Sequence, residues 1–167
     1  HVVGTYSCHG MEPVSYNNNN NTPDDDTTDD DEEEDHVTTA KINQDRGGVV
    51  HPFRQQPKTA LFAVYDGHGR GGEHISQYCL HEIVKRLEEL DADYFHNDLP
   101  NALVDTFTNV DRDLHYEQLI DPLFAGTTAC VGVLQDTKLT VANAGDSRAV
   151  GAKKKNDTGC VVTALDL

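Results

Sequence analysis

The sequence is short of basic residues. Its 13 lysines and arginines stand against 29 aspartates and glutamates, for a formal net charge of −16. Phosphate backbones and anionic headgroups attract lysine and arginine, so the deficit argues against nucleic acid or an anionic membrane as a partner. No apolar run approaches the roughly 18 residues that span a bilayer. No basic segment followed by an apolar one marks a signal peptide, so no membrane association is expected. No methionine opens the chain, which predicts a processed product or a fragment. Cys8, Cys79, Cys130 and Cys160 include no C-x-x-C pair. Structural zinc is therefore not expected, and free thiols in a reducing compartment are. The thiols and the missing signals together point to an intracellular protein, cytoplasmic or nuclear.

Hydrophobic residues are also scarce, at 37% of the chain. The shortage is local. Residues 16–35 read YNNNNNTPDDDTTDDDEEED, and ten acidic residues fall between Asp24 and Asp35. Without those ten the formal charge moves from −16 to −6. Like charges at this density repel, and no apolar surface repays ordering, so residues 16–36 are expected to be a disordered insertion.

From His36 onward the pattern becomes globular. Thr59–Tyr65 is apolar and β-rich, the signature of a buried strand. Ile75, Cys79, Ile83, Leu87 and Leu90 form one stripe of an amphipathic helix. Leu103, Phe107, Val110 and Leu114 do the same for a second helix over 100–116. Four short strands are expected over 126–135, 138–145, 147–152 and 160–165, with a turn at Asp136-Thr137 and a polar loop over 153–157. Residues 1–10 could form one more. Strand, helix pair, then an antiparallel run of strands predicts an α+β fold.

The chemistry-bearing stretch is LFAVYDGHGRGG, residues 61–72. Asp66 ends the buried strand, so its carboxylate is rigidly held and faces a loop. Hard divalent cations take such oxygens. Gly67 allows a tight turn that can present its own carbonyl. His68 follows, and an imidazole with an ordinary pKa of about 6.5 suits a general acid. A plain polar turn explains the same four residues. KINQDR (41–46) adds Asp45 between Lys41 and Arg46, either as a metal or phosphoryl site or as an Asx-turn. ANAGDSRAV (142–150) adds Asp146 behind Gly145. Three acid-bearing loops at strand ends could converge on one edge, where their charges would repel unless a cation neutralised them.

NQDR, FAVYDGHGRGG, GTTACVGVL and LTVANAGDSRAV, in that order, resemble the metal-dependent PP2C-type (PPM) serine/threonine protein phosphatases. The resemblance covers residues 37–167, with residues 1–15 as the first strand region and 16–36 as an insertion. It implies an antiparallel β-sandwich flanked by helix pairs, an incomplete one here. It implies two Mg²⁺ or Mn²⁺ ions and hydrolysis of phosphoserine and phosphothreonine proteins by a metal-activated water. It also implies a monomer. By resemblance Asp66 bridges the metals, Gly67 binds through its carbonyl, and His68 is the general acid. Asp45 holds metal or its water, and Asp146 serves a weaker metal position.

Two departures stand out. Gln44 occupies a place where many members carry glutamate, and Ala40 a place where some carry a phosphate-binding arginine; Lys41 or Arg46 could substitute. The resemblance also implies further metal-binding aspartates beyond Leu167. The chain is thus expected to hold the N-terminal half of a catalytic domain and to be inactive alone. A non-catalytic relative that binds phosphoproteins or a kinase is the alternative.

Overall fold

The computed structural model describes residues 11–13, 38–116, 124–154 and 162–166. The expected strand over 1–10 and the acidic tract lie outside them. The chain divides into two compact units, Cys8–Asn43 and the remainder. The first contains an antiparallel pair, β1 (Met11–Pro13) and β2 (Thr38–Ala40), with Met11 opposite Ala40.

The larger unit is built on a four-stranded antiparallel sheet. Its strands are β3 (Arg46–Val50) and β4 (Thr59–Tyr65), then β7 (Ala129–Gln135) and β8 (Lys138–Ala144), in that spatial order. Between β4 and β7 the chain makes β5 (Gly67–Gly69), α1 (Gly72–Glu89), α2 (Ala92–Asn97), α3 (Leu99–Leu114) and β6 (Ala125–Thr127). β5 and β6 pair with each other, and β9 (Val150–Lys154) pairs with β10 (Val162–Asp166).

Alternation along the strands sends one set of side chains to the helices. Leu61, Ala63 and Tyr65 of β4 and Ala129, Val131 and Val133 of β7 are buried with Ile75, Cys79, Ile83 and Leu87 of α1. Leu99, Leu103, Val110 and Leu114 of α3 complete this core. The opposite face carries Phe62 and Val64 with Leu139 and Val141, and Val64 is 56% exposed. Burial holds the Cys79 thiol up at about 11, with the Asp111 charge adding to it. Cys79 and Cys130 are free thiols, and Cys8 and Cys160 lie outside the described residues.

The helix pair is joined at its side by Arg86, whose Nη2 donates to Asp113 Oδ2 at 2.9 Å. Arg54 closes the end of α1. Its two terminal nitrogens donate to the carbonyls of Leu87 (2.6 Å) and Leu90 (2.7 Å), and its guanidinium stacks 4.5 Å from the Phe95 ring centre. Asp91 caps α2 by accepting from the Tyr94 N–H at 3.1 Å.

Several expectations change. The stretch 126–135 is two strands, interrupted at Thr128. The strand expected over 147–152 begins only at Val150, and it takes in Lys153 and Lys154 from the expected polar loop. The four C-terminal strands do not form one meander, because β9 and β10 make a sheet of their own. Strands β2, β3 and β5 and the short helix α2 had no expectation.

Candidate metal centre

Sheet register builds the site. β3 and β4 run antiparallel with Arg46 opposite Tyr65. One further step places Asp45 beside Asp66, just past the sheet's end. β4 and β7 pair Val64 with Cys130, and the same register sets Asp66 opposite Thr128. β7 and β8 pair Ala129 with Ala144, which brings Gly145 opposite Thr128. Asp45, Asp66, Thr128 and Gly145 thus form one row across the strand ends.

Hydrogen bonds tie that row together. The Thr128 N–H donates to the Asp66 carbonyl at 2.9 Å, and the Asp66 N–H donates to Thr128 Oγ1 at 3.0 Å. Thr128 Oγ1 and Ser147 Oγ share a further bond of 2.6 Å. Asp66 therefore has both its backbone N–H and its carbonyl held by Thr128, and the residue is exposed to water. Thr128 is 6% exposed, so its polar groups need these partners.

The two carboxylates meet. Burial raises the Asp45 pKa above the ordinary aspartate value, the Asp66 charge and a hydrogen bond with Asp66 raise it further, and Arg46 opposes them. Facing carboxylates at a water-exposed edge are an oxygen-only donor set whose repulsion a hard cation relieves, so the pair fits Mg²⁺ or Mn²⁺. Asp146 follows Gly145 in the next loop. Among the described residues no group of three or more histidine, cysteine or acidic side chains is placed to hold one metal ion, so Asp146 does not join the pair here.

Gly67 is required for space rather than for a turn. A Cβ there would collide with the Gln44 carbonyl oxygen and come within 2.7 Å of the Gly72 carbonyl oxygen. His68 is exposed on β5, opposite Gly126 of β6.

Gln44 is fixed from two directions. Its carbonyl accepts from the buried Ser76 hydroxyl at 2.6 Å. Its Nε2 donates to the Gly69 carbonyl at 2.7 Å and to Glu73 Oε2 at 2.9 Å. The amide so clips the glycine-rich loop to the first turn of α1. Arg46 is engaged too: Nε donates to Gln77 Oε1 at 2.8 Å and Nη1 to the Asp45 carbonyl at 2.7 Å. Lys41 is exposed and belongs to the Cys8–Asn43 unit.

Thr128, Ser76 and Glu73 escaped the sequence reading. A threonine in a β-rich run and a serine and a glutamate in a helix carry no local signal. Only the register across the strand ends singles out Thr128.

Comparison with known proteins follows the same lines. The family model "Protein phosphatase 2C" matches residues 26–163. "Probable protein phosphatase 2C 21" of Oryza sativa subsp. japonica is 32% identical over 123 residues, covering 57% of this chain and 35% of that protein. "Protein phosphatase 2C homolog 2" of Aspergillus fumigatus is 36% identical over 107 residues, covering 62% of this chain and 24% of that protein. The chain thus spans 24–35% of the length of these relatives. In fold it matches the crystal structure of serine-threonine phosphatase 2C from Toxoplasma gondii with a TM-score of 0.60 at 20% identity, over 76% of this chain and 45% of that one. With the family match covering most of its length, the chain belongs to the protein phosphatase 2C family.

Proposed function

We propose that this chain forms part of a metal-dependent phosphatase acting on phosphoserine and phosphothreonine in proteins. The observation that carries the reading is the meeting of Asp45 and Asp66 at the end of a rigid sheet, with His68 two residues further on. In this reading Asp66, Asp45 and the Gly67 carbonyl hold Mg²⁺ or Mn²⁺, with Asp146 at a further, weaker position. When bound, such ions neutralise phosphoryl charge and lower the pKa of water. Asp66 supplies a fixed oxygen pair because Thr128 holds its backbone. His68 gives a proton to the leaving oxygen. Lys41 and Arg46 are the proposed phosphate contacts, and Arg46 would first release Gln77. The partners are phosphorylated proteins, the working unit is a monomer, and residues 16–36 are an insertion ahead of the 37–167 region.

The test uses the full-length protein carrying this sequence, with a phosphothreonine peptide, in Mn²⁺ and in chelator. Phosphate release is expected only with metal. Asp66→Asn is expected to lower turnover by at least about a hundredfold, the scale of losing a key electrostatic group. Equal turnover by the variant would remove Asp66 from the mechanism. The Gln44 amide, committed to Gly69 and Glu73 where a family carboxylate often stands, supports a second reading as a non-catalytic phosphoprotein-binding module. That reading expects peptide binding without phosphate release.

A further inference from the structure

We propose that Gly126 is a positioning residue for His68, acting through the space it leaves open. The inference rests on His68 being the general acid. His68 and Gly126 are direct cross-strand partners in the β5–β6 pair. Residues so paired project to the same face, side by side. A Cβ on Gly126 would lie 2.8 Å from His68 Nε2, 3.0 Å from Cε1 and 3.8 Å from Cδ2. The first is shorter than a carbon makes with that atom and the second is at the tight limit, so the imidazole now lies directly against the bare Cα. The edge that would be displaced first is the one carrying Nε2.

The backbone on either side of the ring is closely packed. On one side of His68, Gly67 is wedged against the carbonyls of Gln44 and Gly72. On the other, a Cβ on Gly69 would lie 2.8 Å from the Ala125 Cα, so β5 and β6 are in close backbone contact. The exposed imidazole is the end of a flexible side chain, and it can swing into water without disturbing the core. Gly126→Ala should therefore misplace the general acid while preserving the fold.

The expected consequence depends on the leaving group. As the P–O bond breaks, the leaving oxygen keeps its electron pair and takes a proton from the imidazolium, which is reprotonated from solvent. Water supplies the oxygen of the new P–O bond and gives up a proton to solvent. A threonine alkoxide needs that proton, whereas nitrophenolate departs as a stable anion. In the full-length, Mn²⁺-loaded protein, Gly126→Ala should lower kcat on a phosphothreonine peptide by about tenfold to a hundredfold, up to the lower end of the range for losing general-acid catalysis outright, because the ring is displaced and not removed. On p-nitrophenyl phosphate the change should stay within about threefold, since no proton is needed there. His68→Gln should show the same selectivity. Adding Gly126→Ala to His68→Gln should cost little more, because the Cβ then has no ring to displace.

Independently of turnover, the His68 ring signal in a ¹H–¹³C spectrum of metal-free protein, assigned by its loss in His68→Gln, should shift in Gly126→Ala while the other histidines stay in place. An unshifted signal, equal losses on both substrates, or additive effects in the double variant would overturn the proposal. Loss of folding in Gly126→Ala would make the glycine structural and overturn it as well. Absence of leaving-group selectivity in His68→Gln would instead remove the general-acid reading, and the proposal with it.

Discussion

At the strand edge the Gln44 carboxamide donates to two acceptors at once, the Gly69 carbonyl and the Glu73 carboxylate. A carboxylate in its place has no proton to give at neutral pH and sets its charge against Glu73. Gln44→Glu is expected to cost about 2 kcal/mol, from two lost hydrogen bonds of which one is charge-assisted. Adding Glu73→Gln should recover about half of that, since the new amide can donate to the new acid while Gly69 stays without a donor. Denaturant unfolding of the parent and both variants checks this; no recovery would mean the pair does not interact. The pH dependence has a definite sign. The Gln44 hydrogen bond, and then one from the Glu73 backbone, hold the Glu73 pKa below the ordinary value of 4.5. The contribution is therefore full above the ordinary value and is lost as pH falls through the depressed one.

Among the elements, α1 ends on a residue far from it in sequence. Arg54 satisfies two carbonyls that the helix leaves without intrahelical donors and covers the Phe95 ring. Arg54→Ala should destabilise the fold by about 2–3 kcal/mol through the charged hydrogen bonds and the ring contact. Arg54→Lys should restore only part of it, because an ammonium offers one nitrogen where the two carbonyls are met by two, and it lacks the planar face that covers the ring. Equal unfolding midpoints for Ala and Lys would show that the fork geometry is irrelevant. Elements that bury a face were legible in the sequence: β4 is Thr59–Tyr65 as expected, and α1 and α3 follow their apolar stripes. Arg46–Val50 and Gly67–Gly69 were not, because glycine-rich strands show no alternation and exist only through their partners. The candidate site divides in the same way. Asp66 could be placed at a strand tip from its own neighbours. Its meeting with Asp45, and the grip of Thr128, depend on pairing register, which no local pattern states.

For the molecule as a whole, the candidate site stores repulsion. Asp45 binds its proton more tightly folded than unfolded. Between the ordinary aspartate pKa of 3.8 and the raised one, the folded state holds more protons. Stability of metal-free protein should thus fall as pH rises through that window and stay lowered above it. Asp45→Asn should raise metal-free stability near neutrality by less than about 1 kcal/mol, since water screens an exposed carboxylate. Mn²⁺ should raise the unfolding temperature of the parent more than that of Asp45→Asn, because only the parent offers both carboxylates. Thermal scans with chelator and with Mn²⁺ decide this, and an equal shift in both proteins would exclude Asp45 as a ligand.

The bond between Asp66 and Thr128 spans 62 residues of chain, including α1, α2 and α3. Closing so long a loop is entropically costly and slow, and the contacts it makes form late. On the ribosome Asp45 and Asp66 emerge ahead of Thr128, close enough in sequence for β3 and β4 to pair while Thr128 has yet to be synthesised. A nascent chain therefore confronts the two charges before the residue that anchors one of them has arrived. The order of synthesis makes the last strands of the sheet the step that turns a repelling pair into a defined site.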